Sequence, residues 1–164
     1  MVVRDVNRET DGSRRVVDVY AAGCWLTCED NQVYVPVFAG VVAESLRKLL
    51  LNPQINQRPL PYPELSATDN YRRLKANADA FDDAEWRASK FMKWGVTADN
   101  VGMLLFRHHD MAILPFSFLR PDHPMPSERG QVFVAELPIW ELTAILHDVA
   151  WLLMWGWKDR NKGC

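Results

Sequence analysis

The chain carries none of the short motifs that announce a reaction. No serine stands in a GxSxG elbow, no glycines form a phosphate loop or dinucleotide fingerprint, and no HExxH or Cys-His ligand set occurs. No cofactor and no metal are therefore expected. Clustered basic charge is also missing: Arg14-Arg15 and Arg72-Arg73 are only pairs, and the net charge is −2. Non-specific nucleic-acid binding draws on a concentrated positive surface, so no nucleic-acid partner is expected. No apolar run reaches the length of a membrane span, and the opening MVVRDVNRETDGSRR lacks the apolar core of a signal peptide. These absences predict a cytoplasmic protein without a membrane partner. Cysteine is scarce and odd in number: Cys24, Cys28 and Cys164. In a strand Cys24 and Cys28 would lie ~13 Å apart, at ~3.3 Å per residue, beyond disulfide reach. Free thiols are the expectation.

What remains is an ordinary globular composition. The 164 residues are 48% apolar and 24% charged, with a pI near 6.1, enough for one domain with a sizeable core. Residues 1–13 read as a weakly ordered start. Val16–Ala22 reads as a strand, and Cys24–Cys28 with Val33–Phe38 as a hairpin around Glu29-Asp30-Asn31-Gln32. Pro36 places that second strand at an edge or ends it early. A helix is predicted over 39–51, with Val42, Leu46, Leu49 and Leu50 inward and a Glu44–Lys48 pair outside. Four prolines between Asn52 and Pro63 predict an extended connector.

A second helix begins after Ser66 or Thr68, with Tyr71, Leu74, Ala78 and Phe81 repeating at helical spacing. Asp82 resembles a fresh N-cap, with Glu85 three residues on. The resulting third helix is predicted to run to Trp94 and stop at Gly95. Beyond it, Val101–Arg107 and Met111–Leu119 read as strands around His108-His109-Asp110, and Ala112, Leu114, Phe116 and Phe118 alternate toward one face. Pro115 predicts an edge or a bulge there. After the Pro-rich loop Arg120–Gly130, Gln131–Glu136 is a strand and Pro138 opens the final helix. The order predicts an α+β fold: a mainly antiparallel sheet with about four helices, chiefly on one face. A mixed sheet, with the helical middle as a crossover, is the alternative.

Few residues offer chemistry. His108, His109 and Asp110 suit a turn better than a metal site, because adjacent strand residues face opposite ways. His123 stands apart in the Pro-rich loop. His147 and Asp148 are helix neighbours about 100° apart and form no dyad on their own. The acidic run Asp79, Asp82, Asp83 and Glu85 reads as capping and a solvated face. Its sharper reading is a patch that steers a basic partner.

The final helix is the most telling element. In Pro138–Trp155, Leu142, Ile145, Leu146, Val149, Leu152 and Leu153 form one apolar stripe. The opposite face holds Trp140, Ala144, His147, Asp148, Trp151 and Trp155 rather than Lys and Glu. A helix apolar on both sides is either sandwiched or offers a binding surface. The tryptophans are thus expected to meet a partner, or to lie under the N-terminal or Pro-rich segments. The candidate partner-binding set is Trp140, His147, Asp148, Trp151 and Trp155, with Asp79, Asp82, Asp83 and Glu85.

In its whole architecture, and in the Trp-Gly pairs at 94–95 and 155–156, the chain resembles the immunity proteins of bacterial polymorphic and contact-dependent growth-inhibition toxin systems. Those are small, often α+β, often Trp-rich and mildly acidic cytosolic domains without a catalytic motif. The resemblance implies a protein that binds and neutralises a cognate toxin domain. It carries over no site residue by residue. Two rivals stand beside it. One is a small enzyme or ligand-binding domain with a pocket between the sheet and the final helix, its polar groups drawn from His108, His109, His123 or His147. The other is a subunit that forms a homodimer through the Trp face.

Overall fold

In the computed structural model, residues 2–4, 13–79 and 84–158 are described. The fold is α+β with antiparallel pairing throughout. Its main sheet contains β6 (Lys90–Phe91), β7 (Val101–Leu104), β8 (Phe106–His108), β9 (Met111–Phe118) and β10 (Phe133–Pro138). β9 is interior, with β10 on one side and β7 and β8 on the other. A smaller sheet is built by β1 (Val2–Arg4), β2 (Arg14–Asp18) and β5 (Gln32–Tyr34), in the order β1-β2-β5. β3 (Tyr20–Ala21) and β4 (Cys24–Trp25) form a separate ribbon.

Strand alternation sorts the core. Ala112, Leu114, Phe116 and Phe118 of β9 share one face with Met103, Leu105, Ala135 and Leu137. They belong to the larger cluster, with the long helices α1 (Val35–Leu51) and α5 (Ile139–Lys158). Ile113, Leu104, Phe106 and Val134 point the other way. They pack with Tyr71 and Leu74 of α3 (Ala67–Asp79) and Trp86 of α4 (Ala84–Ser89). The two longest helices thus lie on one side of the sheet and the two shorter ones on the other.

The predicted hairpin is re-partnered. Cys24 and Trp25 pair with Ala21 and Tyr20, around Ala22 and Gly23, both at positive φ. Gln32–Tyr34 pairs instead with β2. Val35–Phe38 is helix rather than strand, because Pro36 falls in the first turn of α1, where its missing N–H costs nothing. Leu50, assigned inward by sequence, is exposed, while Val42 and Leu49 are buried. The connector contains one short helix, α2 (Pro53–Asn56), capped by the Asn52 side chain.

Ser66 caps α3, its hydroxyl accepting from the Asp69 N–H at 3.1 Å. Buried Asn70 then ties the connector down, accepting from the Tyr62 N–H and donating to the carbonyls of Tyr62, Leu65 and Ser66. Asp82, assigned as the next N-cap, and Phe81 lie outside the described residues. The following helix ends at Ser89 rather than Trp94: Lys90 and Phe91 pair with Leu104 and Met103, and Met92 turns at φ +54°. Gly95, at φ +75°, begins a 3-10 turn instead of capping that helix.

Pro115 is not at an edge. β7 and β8 hold one register against β9, with Met103 opposite Phe116 and Phe106 opposite Ile113. Pro115 falls in the interruption between them, where its missing donor leaves no broken bond. There the Leu105 N–H turns to the Ser89 carbonyl at 3.0 Å. Pro138 closes β10 rather than opening α5.

Candidate functional site

The final helix behaves as its two faces predict. Leu142, Leu146, Val149, Ala150 and Leu153 are buried in the larger core. Ile145 is half-buried, and Leu152, assigned to the core stripe, is exposed. On the opposite face Trp140, Ala144, His147, Asp148, Trp151 and Trp155 are all exposed. Trp140 is 68% accessible, Trp151 51% and Trp155 54%. Spacing of four residues lets Trp151 and Trp155 stack, with ring centroids 5.4 Å apart and planes 10° from parallel. His147 Nδ1 lies 3.1 Å from an Asp148 carboxylate oxygen, both side chains in solvent. Of the two expected covers, the Pro-rich segment is held elsewhere, and residues 5–12 of the N-terminal segment lie outside the described residues.

The acidic residues do not join this face. Asp79 is exposed at the end of α3. Glu85 is ion-paired to Arg58, so it clamps α4 to the connector. Both belong to the side of the sheet opposite α5. Asp82 and Asp83 lie outside the described residues.

His123 is the polar centre that sequence could not place. It is fully buried, stacked on Phe118 with centroids 3.7 Å apart, and its Nε2 lies 2.9 Å from Glu128. The Asn100 carbonyl oxygen accepts the backbone N–H groups of Leu119 and Arg120, so its amide nitrogen faces His123 Nδ1 at 3.1 Å. Nδ1 must then be the acceptor, and Nε2 carries the proton donated to Glu128. Glu29 closes the cluster through Asn100 and Arg120, and Arg120 also holds Asp99.

Cys28 Sγ sits 3.9 Å from the same Nδ1. The order Cys28, His123, Glu128 has the outline of a nucleophile, base and orienting group. Its electrostatics oppose that use. Asn100 already occupies the Nδ1 lone pair, and burial, then the charge of Glu29, pushes the Cys28 thiol up from its ordinary value. Cys24 is pushed up to about 11, by burial first and then by Glu128. The cluster pins the Pro-rich loop against β9. Both thiols are free, whereas Cys164 lies outside the described residues.

His108 and His109 occupy the exposed turn at the other end of β9, with His109 at φ +51° and its carbonyl accepting from Arg107 Nε. Among the described residues, no three His, Cys, Asp or Glu side chains are arranged to hold a metal ion. No described helix is long and apolar enough to cross a membrane.

A cavity of about 230 Å³ does lie between the sheet and α5, lined by Met92, Trp94, Met103, Leu114, Leu137 and Leu142 among others. None of His108, His109, His123 or His147 lines it. The Trp94 indole N–H is committed to Ser45 Oγ at 3.0 Å. The lining is mainly apolar; its ionisable members, Tyr20 and Glu136, are exposed residues at its border.

The fold and this exposed aromatic face define an α+β protein with a helix presented on its surface. No protein-family model, curated protein or solved structure compared with the chain matches it.

Proposed function

We propose that the protein is an immunity protein: it binds a cognate bacterial toxin domain and neutralises it, using the exposed face of α5. The observation that carries this reading is the stacked Trp151–Trp155 pair, half accessible on the face of α5 turned away from the core. Tryptophan is the residue type most enriched at binding hot spots, where it supplies large contact area at low entropic cost. Trp140 extends the aromatic face by about three turns, and His147 and Asp148 give it a polar centre. Asp148 and Glu141 make the same stretch acidic, which suits a basic toxin surface and speeds encounter.

The test is to search the neighbouring reading frames for a toxin domain and to co-express any found there with this protein. Protection of the host cell, a stable complex, and loss of both on Trp151→Ala/Trp155→Ala support the reading. A complex that survives this double change with unaltered affinity refutes the assignment of the face.

A second reading is favoured by one observation, the apolar cavity beneath α5. It would make the protein a carrier for a small apolar molecule. Its lining is mainly apolar, with only Tyr20 and Glu136 to orient a ligand, so it stands behind the first.

A further inference from the structure

Where α1, α2, α4 and β6 meet lies a cleft of a different character, about 180 Å³ in volume. Its rim carries Lys48 from α1, Arg87 from α4, and Lys90 and Lys93 from the segment that follows; its floor includes Ile55 and Phe91. Among the described residues no Asp or Glu lines it. Lys90 and Lys93 have no carboxylate partner among the described residues; Lys90 only faces the Trp86 ring at 5.8 Å. Lys48 lies 3.5 Å from Glu44, but that carboxylate is held more closely by Arg47, at 2.7 and 2.9 Å. Arg87 has an interaction of its own, so the like charges that repel unless an anion joins them are chiefly those of Lys90 and Lys93.

The backbone is bent to gather them. Residues 90 and 93 would face opposite sides of an extended strand. Met92, a buried non-glycine residue at φ +54°, turns the chain so that both border one cleft. Such conformations cost about 1–3 kcal/mol and concentrate at ligand sites.

We propose that this cleft binds a phosphomonoester with an apolar body. A phosphate monoester carries about −1.5 to −2 charges at pH 7 and three acceptor oxygens. That matches several converging cations, where a carboxylate would bring one charge. The apolar body would lie on Phe91 and Ile55.

Phenyl phosphate is the probe, followed by amide shifts of the full chain. The expected result is saturable binding with shifts confined to residues 45–55 and 87–93. Affinity should fall about tenfold or more in Lys90→Gln/Lys93→Gln, with an unchanged thermal midpoint. Benzoate, with the same ring and one charge, should bind several-fold more weakly, and phenol not at all. Three results would each overturn the proposal: no saturable binding, binding indifferent to the double substitution, or benzoate binding as tightly as phenyl phosphate.

Discussion

Gly102 illustrates how one missing side chain holds the two layers of the molecule together. It lies in β7 with its Cα facing α3, where Tyr71 donates to the Gly102 carbonyl and shares a hydrogen bond with Ser117 Oγ, both at 2.8 Å. A Cβ at position 102 would stand 2.8 Å from the Tyr71 hydroxyl oxygen and 2.9 Å from Leu119 Cδ2. Leu119 is exposed and can rotate away. Tyr71 cannot: its ring is buried and packed edge-on against Trp86 at 5.2 Å. Gly102→Ala must therefore displace the hydroxyl and weaken two hydrogen bonds worth ~0.5–1.5 kcal/mol each. Overpacking adds about 1–3 kcal/mol, and the reduced entropy of the unfolded chain returns ~0.4–1 kcal/mol. The net expectation is a loss of about 3 kcal/mol, read from equilibrium urea unfolding. Tyr71→Phe removes the clashing oxygen, so the double variant should be less destabilised than the sum of the singles by about 1 kcal/mol or more. A Gly102→Ala protein as stable as wild type, or strict additivity with Tyr71→Phe, would refute the reasoning.

Further expectations concern the buried polar cluster and the thiols. His123→Leu strands the Asn100 amide and Glu128, so it should cost about 2–3 kcal/mol and raise hydrogen exchange across residues 120–130. Glu29→Gln keeps the shape and should cost far less. With its thiol pushed up to about 11, Cys24 should react with a disulfide reagent at pH 8 far more slowly than a free cysteine, and recover normal rates in denaturant. The same shift has a stability consequence: between pH 9 and 11 the unfolded chain loses the Cys24 proton while the folded one keeps it. Stability should thus fall as pH rises through that window, and less so in Cys24→Ala.

Periodicity made the long elements readable. The two faces of α5, the alternation of β9 and the inner face of α3 all follow from side chains repeating at 3.6 or 2 residues; the helices show it in their burial, and β9, buried on both faces, in the division of its side chains between the two cores. Errors fall where a local signal has two meanings. Pro36 reads as a strand edge but equally suits a helix start. Gly95 reads as a cap, yet the helix had already ended at Ser89, because pairing with β7 recruits Lys90 and Phe91. Left-handed Met92 and His109 carry no sequence signature. The His123 cluster was illegible for a different reason: it joins Cys28, Glu29, Asn100 and Glu128, and its farthest members are 100 positions apart. Periodicity separates the two faces of α5 but does not say whether the Trp face is covered; its exposure is read from the structure.

The account rests on α5 having one face for the core and one for a partner. The direct measurement pairs unfolding free energy with toxin-domain affinity for Leu146→Ala, Leu153→Ala, Trp151→Ala and Trp155→Ala. The leucine variants should lose about 2–5 kcal/mol of stability. The tryptophan variants should lose about 1 kcal/mol, chiefly their mutual stacking, while binding weakens by about 2 kcal/mol or more. Tryptophan variants that unfold as readily as the leucine ones, or that bind the toxin domain as tightly as wild type, would contradict it.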